Sequence, residues 1–198
     1  MSLRALARTL VLVLVLAAGA ARADDASGFI SDLGKRAIDV LTAKSDDAQR
    51  EKRFLALFEE GFDVPAISRF VLGPYWRSAS EQQREEFQKL FKAYVVHAYA
   101  VRFNQYSGQQ MQIKGSRRDG EAVVLVASLI DGAPGGPPIK VDWRVGKSGE
   151  GYKIVDVIVE GISMAVTERQ EFASVIQRNN GQVEALLKLL REKSGQGA

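Results

Sequence analysis

The chain has 198 residues, with 27 Lys and Arg against 24 Asp and Glu, one histidine and no cysteine. That inventory excludes a thiol nucleophile, a Cys-rich zinc site, a multi-histidine metal site and a diacylated lipoprotein anchor. Arg4, Arg8 and Arg22 account for the whole positive excess. The remaining 24 basic residues balance 24 acidic ones, which gives no reason to expect nucleic acid, whose binding leans on a clustered basic surface.

Arg4 and Arg8 make a short basic start, Leu10 to Ala18 run apolar without a charge, and Ala21-Arg22-Ala23 puts small residues at the two positions a signal peptidase reads. The pattern predicts a secretory signal peptide, residues 1–23, cleaved after Ala23. The apolar run falls short of the roughly 20 residues a spanning helix needs. Residues 24–198 suit one domain, which at that length buries about 70% of its unfolded surface and folds without disulfides even in an oxidising compartment.

Helices come first. Ile30, Leu33, Ala37, Val40 and Leu41 lie near one helical face, as do Phe54, Leu57, Phe58, Gly61 and Phe62 in the next segment. Asp63 with Pro65 starts a short third helix carrying Val64, Ile67 and Val71, and Gly73-Pro74 stops it. Ser80 with Gln83 forms a capping box. It opens the longest helix, about residues 81–106, with a wide stripe of Phe87, Leu90, Phe91, Tyr94, Val95, Ala98, Val101 and Arg102.

Four strands follow. Residues 109–117 end at the hairpin pair Asp119-Gly120, and residues 121–130 are apolar on both faces. Beyond the Gly/Pro loop at 131–138, residues 139–145 alternate cleanly, and a turn at 146–151 leads into residues 152–159. Thr167 with Gln170 is read as the cap of a helix bearing Phe172, Val175, Ile176 and Asn179. Asn180-Gly181 breaks it before a last helix with Val183, Leu186, Leu187 and Leu190. The expected architecture is α+β: a curved four-stranded antiparallel sheet with N-terminal and C-terminal helices packed against one face.

The stretch Phe70-Val71-Leu72-Gly73-Pro74-Tyr75-Trp76-Arg77, the segment ending in Gln105-Tyr106-Ser107-Gly108, and Val141-Asp142-Trp143-Arg144 resemble the MlaC family, also called the toluene-tolerance auxiliary family. So does the run from Lys153 to Met164, followed by Arg169-Gln170-Glu171-Phe172. The resemblance covers about residues 29–193. Pro74 departs from it, standing where a basic or polar residue is expected.

The resemblance implies an NTF2-like (cystatin-like) fold and a periplasmic phospholipid-binding shuttle of an ABC-type intermembrane lipid transport system, which maintains outer-membrane asymmetry. The implied ligand is a phospholipid. The implied partners are an inner-membrane ABC lipid transporter complex and an outer-membrane lipoprotein complex, with no cofactor, no metal and no catalysis. A monomer is expected of a shuttle. HpnM proteins, associated with hopanoid metabolism, are similar in sequence, so a hopanoid-associated carrier is the alternative. A small NTF2-like periplasmic enzyme and a non-binding adaptor are two more.

A lipid carrier needs aliphatic and aromatic walls with the headgroup left near the mouth. On that expectation Phe87, Phe91, Tyr94, Val95 and Ala98 of the long helix face the sheet. Val141, Trp143 and Val145, with Val155, Val157 and Val159, form the opposing wall, and Ile162, Met164 and Phe172 close an end. Tyr75 and Trp76, placed on a loop, either rim the entrance or cap the core. Plain core remains the alternative reading of every one of these positions, because apolar stripes usually are core.

Other features read as structural. His97 stands at the margin of a helical stripe, without the partner a general base needs. Asp142 and Asp156 are the acids an enzyme would use, but Asp142 alternates with Lys140 and Arg144 on a face expected to be solvated, where cross-strand charge pairing is its role. Arg117 and Arg118 form a basic knuckle beside the Asp119-Gly120 turn. Gly132, Gly135 and Gly136 are interleaved with prolines, unlike a phosphate-binding loop.

Overall fold

The computed structural model describes residues 25–100, 106–132, 135–149 and 151–194. The expected signal peptide lies outside the described residues, as do Val101 and Arg102. Helix α1 covers residues 25–42. Helix α2 (Asp47–Gly61) starts where the Asp46 side chain accepts from the Gln49 amide at 2.7 Å. In α3 (Val64–Leu72) Asp63 accepts from the Ala66 amide at 3.0 Å, and Pro65 sits in the first turn, where its missing N–H costs nothing. Tyr75 and Trp76 belong to a short helical turn, α4 (Tyr75–Ser78), rather than to a loop.

The long helix α5 (Glu81–Ala100) carries the predicted capping box in full: the Gln83 amide donates to Ser80 Oγ and the Ser80 amide to Gln83 Oε1, both at 3.1 Å. The predicted helix ran on to residue 106, but Tyr106 is not helical.

Strands β1 (Met111–Asp119), β2 (Val123–Ile130), β3 (Ile139–Ser148), β4 (Gly151–Val159) and β5 (Ile162–Ser163) form one antiparallel sheet in chain order. The α+β expectation holds, with a fifth strand added. It arises because Glu160 and Gly161 take φ of 49° and 83°, the conformation a two-residue hairpin turn requires. The β3–β4 turn is also tighter than predicted, since both strands extend into residues 146–151. Helices α6 (Met164–Arg178) and α7 (Val183–Lys193) complete the chain. The cap of α6 is Ser163, whose Oγ accepts from the Val166 amide at 3.1 Å. Thr167, the predicted cap, lies inside the first turn and donates to the Ser163 carbonyl.

Two large cores result. One is helical: Val71 and Leu72 of α3, Phe87, Leu90 and Phe91 of α5, Phe172 and Ile176 of α6, and Leu186, Leu187 and Leu190 of α7. The other joins Ala26, Ile30 and Leu33 of α1 to the sheet. A smaller one unites Phe58, Val64 and Val96, and half-buried Phe62 packs against all three. The α2–α3 junction is pinned to β4 by the Asp63 amide on the Ile154 carbonyl and by Lys153 Nζ on the Glu59 and Glu60 carbonyls. A cation at those last carbonyls suits the negative end of α2.

Candidate functional site

Strand register places three cross-strand rows on one face of the sheet. They are Val124, Val145 and Ile154; then Val126, Trp143 and Val157; then Ser128, Val141 and Val159. Ala26, Ile30 and Leu33 of α1 cover the first row and Val126, burying them. Trp143 and Val157 are half-buried at the edge of that packing. Beyond them Ser128 and Val141 are buried and Val159 is half-buried, and exposure rises only at the end of the face: Ile139 is 40% exposed, and Ile162, paired with Val159, is 59% exposed.

One polar side chain stands in those rows. Ser128, 1% exposed, accepts the Trp143 indole N–H at 2.9 Å and donates to the Val141 carbonyl at 2.8 Å. A buried indole needs such a partner. The sequence reading passed over Ser128, Ile139 and Ile154, although a serine inside the apolar run of β2 is a visible signal.

The two expected walls do not face each other. Val141, Trp143, Val157 and Val159 share the sheet face as expected, and Ile162 reaches its rim. Val155 does not. A β-bulge opposite Arg144 and Val145 turns it toward Gly146, and Ile154 takes the place in the row. Met164 is half-buried at the start of α6.

The helical wall is elsewhere, because α5 packs chiefly on α7, α2 and α3. Phe172 meets Phe87, Phe91 and Tyr94 edge-on at 5.8, 6.2 and 6.2 Å, a filled aromatic core. Tyr94, Val95, Tyr75 and Trp76 are partly buried and pack at the margin of that core. Ala98 is exposed. Helices α6 and α7, which follow the sheet in sequence, cover the apolar stripe that the sheet was expected to cover.

Among the clefts of the described surface are two that are open and of mixed polarity. One, of about 450 Å³, lies between α5, α6 and α7 and includes Tyr94, Glu171, Phe172 and Lys193. The other, of about 570 Å³, lies beside the α2–α3 junction and includes Phe62, Lys89, Lys92 and Lys153. Neither includes Trp143 or Val141.

The acids stand away from the apolar rows. Asp142 and Asp156 alternate with them onto the opposite face, and both are buried, against the solvated face expected for Asp142. Asp142 pairs with Lys140 at 3.6 Å and Arg144 with Asp119 at 2.8 Å. Asp156 accepts from Ser163 Oγ at 2.7 Å and from the Ala165 amide at 3.0 Å, fastening the start of α6. His97 is half-buried on α5. Arg117 and Arg118 are exposed within β1. Among the described residues no cluster of acids or histidines has the makings of a metal site, and no helix is long and apolar enough to cross a membrane.

The model of the MlaC protein family matches residues 32–192. The chain is 30% identical over 131 residues to the intermembrane phospholipid transport system binding protein MlaC of Haemophilus influenzae, covering 64% of this chain and 59% of that protein. It is 26% identical over 123 residues to the toluene tolerance protein Ttg2D of Pseudomonas putida, covering 62% and 57%. The chain thus spans less than three fifths of the length of these curated relatives. A phospholipid-binding protein from Ralstonia solanacearum, solved in complex with a phospholipid, has the same fold: TM-score 0.74 at 24% identity, over 87% of this chain and 98% of that one.

Proposed function

Since the chain belongs to the MlaC family, we propose that it is an exported phospholipid carrier whose ligand's acyl chains lie on the apolar sheet face beyond α1. The observation that carries this reading is the mismatch between that face and its cover. The apolar rows end at exposed Ile139 and Ile162, with Trp143, Val157 and Val159 only half-buried beside buried Val141, and α5 is engaged with other helices. Such a face is unfavourable in water unless something apolar meets it.

The energetics suit carriage. Each buried methylene contributes about 0.8 kcal/mol, so an acyl chain of about fourteen methylenes contributes on the order of 11 kcal/mol. A shuttle needs an apolar surface of that extent and no acid–base group. Asp142 and Asp156 stand on the other face of the sheet, away from the apolar rows, which favours binding over catalysis.

In this reading residues 1–23 direct export to the periplasm and residues 24–198 form one lipid-binding domain. The partners are an inner-membrane ABC lipid transporter complex and an outer-membrane lipoprotein complex, between which the domain moves as a monomer. The relatives' names and the phospholipid held by the Ralstonia protein support a phospholipid as the ligand.

The test is native mass spectrometry of the protein purified from the periplasm, followed by organic extraction and lipid analysis. The expected result is one phospholipid mass per chain. A hopanoid would move the protein to the neighbouring branch. Lipid-free protein that also takes up nothing from phospholipid vesicles would overturn carriage.

A further inference from the structure

We propose that the solvent face of α3, with the first turns of α6, is a docking surface for an anionic lipid bilayer. Phe70 and Val166 are its apolar contacts, and Arg69, Arg77 and Arg169 are the cations that meet headgroup phosphates. The inference goes beyond lipid carriage and is tested separately from it.

Helix α3 buries Val64, Ile67, Ser68, Val71 and Leu72 and leaves Pro65, Ala66, Arg69 and Phe70 exposed. Phe70, 41% exposed, does not stand alone there. The Arg169 guanidinium of α6 lies over its ring, 5.1 Å from the centroid. Val166, 42% exposed, stands one turn before Arg169 on the same helix. Gly73 leaves room for the guanidinium, since a Cβ there would come within 3.1 Å of Arg169 Nε. Arg77 is exposed on α4, the turn that follows directly.

Charge decides what this face fits. Arg36, Arg50, Arg144 and Arg191 each pair with a carboxylate, whereas Arg69, Arg77 and Arg169 make no ion pair among the described residues. No Asp or Glu occurs from Pro65 to Ser80 or from Gly161 to Thr167. The next acid, Glu168, has its carboxyl beside the Tyr94 hydroxyl of α5. The counter-charge is therefore left to come from outside the chain. A bilayer of anionic lipid supplies it as a layer of phosphates, and the same interface takes up an exposed ring and a valine. Neither cleft described above includes Phe70, Val166 or the three arginines. A face without a pocket suits a flat surface better than the anchoring side chain of a protein partner. Strand β1 is the contrast: Lys114, Arg117 and Arg118 are exposed there, but no large apolar side chain is exposed beside them in the strand.

The experiment sediments the exported protein with vesicles of phosphatidylglycerol or of phosphatidylcholine, at low and at raised salt. Wild type is expected to bind phosphatidylglycerol, to lose that binding as salt screens it, and to ignore phosphatidylcholine. Arg69→Gln and Arg77→Gln, each folded by circular dichroism, should weaken binding about fivefold apiece. Phe70→Ser should weaken it on the order of tenfold. The double variant R117Q/R118Q should bind close to wild type. Should F70S not fold, the two arginine variants decide. Arginine variants that bind like wild type, or a loss confined to R117Q/R118Q, overturn the assignment of this face. Wild type that binds neither kind of vesicle overturns the proposal and leaves the face to an acidic protein partner. Carriage is read from lipid mass instead, so either outcome here leaves it standing.

Discussion

Glu168 has one carboxylate oxygen 3.5 Å from the Tyr94 hydroxyl, and the other is buried without a hydrogen-bond partner among the described residues. Burial, reinforced by the nearby Glu171 charge, holds the Glu168 carboxyl above its ordinary range. The same burial, with the Glu168 and Glu171 charges added, pushes Tyr94 up to about 12. A raised folded value means that stability is full below the unfolded value and is lost as pH rises through the folded one. Glu168→Gln should therefore match wild type in urea midpoint at acid pH and exceed it at neutral pH, with the gap opening above 4.5. A constant gap across that range would show that the carboxyl's charge is not what matters. Absorbance titration should find Tyr94 ionising only near pH 12, and stability should fall between about pH 10 and 12 as the unfolded chain releases that proton first. Asp156 acts by geometry instead. Asp156→Ala removes both acceptors at the start of α6 and should lower unfolding free energy by about 1–3 kcal/mol in urea titrations.

At the scale of elements, α6 holds the helical half through Phe172. Its ring is 4% exposed and stands edge-on to three others, so Phe172→Ala should cost about 3–5 kcal/mol in the same titration. Gly73 ends α3 at φ 58° and ψ −129°, with Arg169 Nε 3.1 Å from where a Cβ would stand. A side chain there strains the backbone and crowds the guanidinium that lies over Phe70, so Gly73→Ala should destabilise by about 1–3 kcal/mol. Elements closed by local chemistry were legible in advance. Asp63, Pro65 and Gly73 bracket α3, and Ser80 with Gln83 opens α5, because each signal acts within a turn of itself. Elements decided by distant partners were not. The bulge at Val155 interrupts an alternation that the letters Val155, Val157 and Val159 continue without a break. The docking of α5 was settled by helices about eighty residues away. Thr167 with Gln170 has the form of a cap, but Ser163 stands one turn earlier and carries the bond. The candidate residues divide along the same line: period two places Val141, Trp143, Val157 and Val159 on one sheet face but not Val155, and the helical residues pack away from that face.

For the whole molecule, the division into a helical core and a partly covered sheet governs what a substitution does. Val157 belongs to the sheet side, next to Trp143 in its row. Val157→Trp should leave thermal unfolding close to wild type and reduce the lipid recovered per chain. Unchanged lipid in the folded variant would place the chains away from this row. The helical core, by contrast, should set stability with little direct effect on which lipid is held.

Strand β1 is the outermost of the described sheet, and it carries exposed Lys114, Arg117 and Arg118 and a register break between Ile113 and Gly115. An unpaired sheet edge is a template for another chain, and positive charge together with a kink spoils that template. The bent, cationic border of β1 therefore disfavours edge-to-edge pairing between copies of this chain.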